Sequence, residues 1–114
     1  TFLRHVERSR FLVHILSIED VNVEDPLSGF HILDDELRKF DPALGEKPQI
    51  RVINKIDLAD EERLAEVRAA FDRLGLKVYF MSALDETGVD VVLDAMWNLH
   101  LQTVKDETEH GTID

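Results

Sequence analysis

Residues 49–84 read QIRVINKIDLADEERLAEVRAAFDRLGLKVYFMSAL, and the way this stretch divides decides the fold. Gln49 to Asn54 is a β-rich run of strand length. Asp60 is placed to cap a helix, with Glu61 and Glu62 in the first turn, where the helix dipole favours negative charge. Leu64, Val67, Phe71 and Leu74 recur at spacings of three and four and supply its inner face. Gly75 provides the stop, and Lys77 to Ser82 is a second β-rich run. A strand, a helix and a strand in this order call for two parallel strands joined by a right-handed crossover.

The same register extends in both directions. Phe11 to Ile18 (FLVHILSI) is a nearly continuous apolar run, and Ser28 is placed to cap a helix bearing Phe30, Leu33, Leu37 and Phe40. A third helix is expected from Gly88, burying Val89, Val92, Leu93, Met96 and Trp97. Three β-α units in succession predict an α/β fold with three α-β-α layers around a parallel sheet. Thr1 to Arg10 reads as the end of a helix, through the stripe Phe2, Leu3 and Val6. The domain is expected to occupy residues 1–104, and the acidic stretch 105–114 to be a disordered tail. Phe11 to Ile18 is apolar on both faces, as interior strands are, although it comes first and is expected at a sheet edge. Its one polar interruption, His14, is expected to be a histidine hydrogen-bonded within the sheet.

Composition narrows the function classes. The 114 residues carry 24 acidic and 13 basic side chains, a formal charge of -11, with mean hydropathy -0.18. One domain is the natural size. An apolar run of about 20 residues, which a membrane span needs, is missing, so a soluble protein without membrane contact is expected. The acidic balance disfavours broad binding to nucleic acid or anionic membranes. Zero cysteines exclude disulfides, thiolate metal sites and cysteine nucleophiles, in keeping with a cytoplasmic protein. The histidines, His5, His14, His31, His100 and His110, are scattered, so no metal site is expected. Serine nucleophile elbows are absent, no catalytic residue is assigned, and Glu61, Glu62 and Glu66 read as a solvated helix face.

The chemistry-bearing signal is Asn54-Lys55-Ile56-Asp57, where a strand ends, followed one β-α unit later by Ser82-Ala83-Leu84. Ligands of open parallel sheets bind outside these carboxyl ends, so both loops are expected at one rim. Guanine presents two adjacent donors, N1–H and the exocyclic amine, and one carboxylate such as Asp57 can accept both. Adenine would face that carboxylate with an acceptor. Asn54 can bond the other base edge or tie the loops together, and Lys55 can lay its apolar stem on the base plane. Ala83 can donate its backbone N–H to the guanine carbonyl, and Ser82 can steady the loop. The bland alternative is an ordinary turn in which Asn54 and Asp57 are merely structural.

These motifs resemble the guanine-specificity motifs of P-loop GTPases, and their flanks are similar to the Obg family. FLRHVERSR, Phe2 to Arg10, is similar to the segment after the second switch of Obg proteins. DPLSGFHILDDELRKFDPALGEKPQIRVINKIDL, Asp25 to Leu58, is similar through its helix, the Asp41-Pro42 linker and the Lys47-Pro48 lead into the strand. The resemblance implies guanine-binding residues Asn54, Lys55, Ile56, Asp57, Ser82, Ala83 and Leu84, with GTP or GDP as ligand. It also implies Mg²⁺ in the intact parent, GTP hydrolysis, and work in ribosome assembly at the large subunit. The family's phosphate loop, G-x-x-x-x-G-K-[ST], has no counterpart here, nor do its switches and Mg²⁺ ligands. Asp72-Arg73-Leu74-Gly75 and Asp85-Glu86-Thr87-Gly88 match the bare D-x-x-G pattern but follow the base motif instead of preceding it, and read as coincidences.

The expectation is thus the C-terminal half of a P-loop GTPase domain, not catalytic alone, whose first strand has lost a neighbour and favours self-association through residues 11–18. A non-catalytic interaction module that binds no nucleotide is the alternative. A phosphoacceptor receiver domain, suggested by Glu19-Asp20, Asp57 and Ser82-Ala83, lacks the further strand and lysine that class requires.

Overall fold

The computed structural model describes residues 10–109. Within them a parallel sheet has the order β1-β2-β3, with β1 Leu12–Ser17, β2 Gln49–Asn54 and β3 Tyr79–Phe80. Leu12 lies opposite Gln49 and Ser17 opposite Asn54, while Val52 and Ile53 meet Tyr79 and Phe80. The expected run from Lys77 to Ser82 pairs as a strand only at its centre. Three helices follow the strands: α1 Ser28–Phe40, α2 Glu61–Arg73 and α3 Val89–Glu109.

Alternation along β2 sorts the layers, because successive strand side chains point to opposite faces. Ile53 packs with Phe30 of α1 and Val67 and Phe71 of α2 in one buried cluster, joined by Ile18 and Val21. Ile50 and Val52 pack on the other face with Met81 and Val92 of α3. The predicted three-layer α-β-α arrangement is therefore present, with α1 and α2 on one side and α3 on the other.

Helix ends are set by local chemistry. Asp60 Oδ1 accepts the Arg63 backbone N–H at 2.7 Å, capping α2 as expected, and Gly75 ends it at φ 68°. Ser28 does not cap α1. It is the first helical residue, behind Leu27, which makes no side-chain cap, and its N–H is taken by the Asp25 carbonyl at 3.1 Å.

Four side chains expected on inner helix faces are exposed in the fold. Leu93 and Trp97 are 57% and 60% exposed instead of buried. The sheet-facing side of α3 is Val89, Val92, Ala95, Met96 and Leu99. At about 100° per residue, Leu93 falls to one side of that stripe and Trp97 further round. Phe40 and Leu74, at the last turns of α1 and α2, are likewise about half exposed. Helix α3 also continues through residues 105–109, into the stretch expected to be a tail. Gln102 Nε2 donates to Asp106 Oδ1 at 3.0 Å, and Arg10 Nε reaches both carboxylate oxygens of Glu107 at 3.1 and 3.2 Å. Residues 1–9 of the helix expected at Thr1 to Arg10 and residues 110–114 of the tail lie outside the described residues, and Arg10 itself sits in a bend.

His14 is buried, but without the expected hydrogen bond: neither ring nitrogen has a partner among the described residues. Its Nδ1 stands 3.7 Å from Asp34 Oδ1, beyond hydrogen-bond length, while Gln49 Nε2 donates to that oxygen at 2.9 Å. The ring stacks on Phe30. Burial pulls the His14 pKa below its ordinary 6.5, the Asp34 carboxylate opposes this, and Arg51 adds a smaller downward push. A buried neutral histidine takes up its proton in the unfolded chain first, so folding stability falls as pH drops below about 6.5. His14→Phe is expected to flatten that loss. Thermal melts at pH 7.5 and 5.5 check it: an equal drop in Tm for both proteins contradicts the assignment.

Candidate base-binding rim

Two loops leave the carboxyl ends of β2 and β3 side by side. The backbone zips them together beyond the strands, with Met81 N–H donating to the Ile53 carbonyl at 2.9 Å and Ile56 N–H to the Met81 carbonyl at 3.3 Å. Asn54 closes β2. Lys55 then turns through the left-handed region at φ 64°, ψ 33°, a conformation uncommon for a residue with a Cβ and one that marks a constrained site. That turn starts the short 3₁₀ segment Ile56–Leu58, which sends the Ile56 side chain toward the core and leaves Asp57 exposed.

Side chains complete the junction. Asn54 Oδ1 accepts the Ala83 N–H at 3.1 Å, tying one loop to the other. Ser82, fully buried, donates its hydroxyl to Asp57 Oδ1 at 2.8 Å. Of the two tasks open to Asn54, tying the loops is the one it performs in this structure, and the Ala83 amide expected to meet a ligand is engaged by that tie. Lys55 and Leu84 project at the surface, Leu84 at 85% exposure. The rim thus gathers Asn54, Lys55, Asp57, Ser82, Ala83 and Leu84, whereas Ile56 serves packing.

Asp57 keeps most of its hydrogen-bonding capacity. A carboxylate offers about four lone-pair sites, and Ser82 occupies one. An exposed carboxylate held by a buried hydroxyl is suited to a ligand edge that presents two adjacent donors. Nearby, Arg63 Nη2 donates to the Val21 carbonyl at 2.6 Å, fastening the start of α2 to the loop after β1. Among the described residues no three His, Asp or Glu side chains converge as a metal site.

Sequence reasoning passed over the other half of the loop. Asp85-Glu86-Thr87-Gly88, set aside as a chance D-x-x-G, forms the turn that returns the chain to α3. Asp85 Oδ1 accepts the Thr87 N–H at 3.0 Å, Ser82 N–H donates to the Thr87 carbonyl at 2.9 Å, and Asp85 N–H donates to Ser82 Oγ at 3.3 Å. Glu86 and Gly88 have φ of 67° and 74°, and a Cβ at Gly88 would collide with the Phe80 carbonyl oxygen. Hydrogen bonds from the Thr87 side chain first, then from its backbone N–H, with a smaller contribution from the Ser82 side chain, hold the Asp85 carboxyl below its ordinary range. The available signal was an Asp two residues before a Thr-Gly, a side-chain-closed turn ahead of a glycine.

Comparison with known proteins supplies the family. No protein-family model matches the chain. It is 50% identical over 106 residues to the GTPase Obg of Desulfovibrio desulfuricans, covering 93% of this chain and 29% of that protein. It is 51% identical over 98 residues to the GTPase Obg of Oleidesulfovibrio alaskensis, covering 86% and 27%. With the GTPase Obg of Aquifex aeolicus it shares 38% over 97 residues, covering 84% and 28%. The chain therefore spans less than a third of the length of these curated relatives. Such identity along most of the chain, together with a parallel sheet covered by helices on both faces, makes it a member of the Obg family, corresponding to half of that family's P-loop GTPase domain.

Proposed function

We propose that this chain reads the guanine base of GTP or GDP, through Asp57 for the two base donors, with Ser82, Asn54 and Ala83 holding the rim, and Lys55 and Leu84 beside it. The observation that carries the reading is the Ser82 hydroxyl bond to Asp57 Oδ1, which fixes an exposed carboxylate between the two loops. Ala83 N–H is the donor for the guanine carbonyl, shared with or released from Asn54 when the base arrives. A base without its phosphates realises little binding energy, so the chain alone binds GDP weakly and is not catalytic. Titrating the ¹⁵N-labelled chain with GDP and with ADP tests this: shifts at Ala83 with GDP alone support it, and equal response to both nucleotides refutes it.

In the wider protein the family role is carried over as part of the same proposal: GTP hydrolysis in the cytoplasm, in the service of large ribosomal subunit assembly. Mg²⁺ would be held with the phosphates by elements outside this chain. No helix among the described residues is long and apolar enough to cross a membrane.

Strand β1 supports a further part of the proposal, self-association through residues 11–18. It stands at one end of the sheet order, with Ile15 51% exposed. Among the described residues no strand pairs with its outer edge, and unpaired backbone along an apolar edge favours pairing with a second copy. Sedimentation equilibrium is expected to show mass rising with concentration, and less so for Ile15→Lys. A monomer across the accessible range counts against it.

A further inference from the structure

Ser82 stands between two partners whose demands fix its hydroxyl. The hydroxyl oxygen accepts the Asp85 backbone N–H at 3.3 Å, so its single hydrogen is left for Asp57 Oδ1 at 2.8 Å. The position of that N–H depends in turn on the turn that Asp85 closes, with Oδ1 accepting the Thr87 N–H and the Thr87 carbonyl accepting the Ser82 N–H. The loop is thus a short circuit of hydrogen bonds running from Asp85 through Thr87 and Ser82 to the carboxylate proposed to read the base. Glu86, a residue with a Cβ held at positive φ beside Thr87, opposes this conformation unless something holds it.

We propose that Asp85 is a positioning residue for guanine recognition, which sets the orientation of Asp57 through Ser82 without touching the base; the proposal rests on the base-reading role of Asp57. What the position needs is an acceptor oxygen for the Thr87 N–H, and negative charge is secondary. Asparagine keeps such an oxygen and alanine does not. Asp85 is exposed, so neither substitution opens a cavity or threatens the fold.

The test compares the chain with Asp85→Ala, Asp85→Asn and Asp57→Asn, using GDP and XDP as probes and amide shifts as readout. Asp85→Ala is expected to weaken GDP by about fivefold, the scale of one typical intramolecular hydrogen bond, with a smaller effect on XDP. Asp85→Asn is expected to stay within about twofold of the parent, as one retained acceptor requires. A ligand-free measurement accompanies it: Thr87 and Ser82 amide hydrogen exchange speeds up in Asp85→Ala and not in Asp85→Asn. If Asp57→Asn shifts preference toward XDP while Asp85→Ala binds like the parent, the positioning role fails and the base reading stands. If Asp57→Asn changes nothing, the base reading itself fails. If Ala and Asn at 85 weaken GDP equally, charge and not the turn is responsible, and the proposal is overturned. Unchanged Thr87 exchange in Asp85→Ala overturns it without any ligand.

Discussion

Asp57→Asn is expected to lower GDP affinity by about 10²-fold, since charge-assisted bonds contribute roughly 1.5–3 kcal/mol each, and to raise XDP affinity in compensation. The direction follows from Ser82. Its hydroxyl accepts from Asp85 N–H and can only donate toward position 57, so an asparagine there turns its carbonyl oxygen to Ser82 and its amide NH₂ to the rim. That NH₂ meets the guanine amine donor to donor, an unpaired polar contact of the kind that discriminates strongly in buried sites. Xanthine carries an oxygen where guanine carries the amine and accepts the same NH₂. Binding titrations with GDP and XDP decide the matter. GDP affinity equal to that of the parent removes Asp57 from the site.

Phe30→Ala is expected to cost about 3–5 kcal/mol, the range for emptying a core phenylalanine site. Phe30 has no exposed surface. Its ring meets Phe71 edge-on at 6.2 Å and stacks with His14 at 6.5 Å, and the Arg51 guanidinium lies 5.9 Å above it. It therefore joins α1 to α2 and to both β1 and β2, and no neighbouring side chain can refill that space without abandoning its own contacts. A small domain has about 5–15 kcal/mol in total, so the variant approaches the unfolding threshold. Phe40→Ala, on the same helix but 45% exposed, is the control and should stay within about 1 kcal/mol. Urea unfolding midpoints at unchanged slope measure both; equal losses for the two would show that burial in this structure does not rank them.

Much of the molecule was legible because its signals are local. The strand Gln49–Asn54, the Asp60 cap and the Gly75 stop each depend on a few adjacent residues whose backbone preferences agree. Asn54-Lys55-Ile56-Asp57 and Ser82-Ala83-Leu84 were likewise visible, because strand ends followed by polar residues place them at one rim. The parts that were not legible depend on partners distant in sequence. Ser28 looked like a cap, yet the turn from Asp25 decides where α1 begins. Trp97 looked like core, since spacing alone does not say which arc of a long apolar helix meets the sheet. His14 looked hydrogen-bonded, and its actual neighbours, Asp34 and Arg51, come from α1 and β2.

By itself, then, the sequence determined three β-α units in a parallel register and two loops whose residue types suit a guanine base. Only the tertiary structure decided how those loops are joined. Asn54 reaches Ala83 across 29 positions, and Ser82 reaches Asp57 across 25. Such bonds form because parallel pairing brings the ends of β2 and β3 together, and no local propensity specifies them. The same holds for Asp85, whose place in the chain resembles an accident of composition until the turn it closes is seen to bear on Ser82.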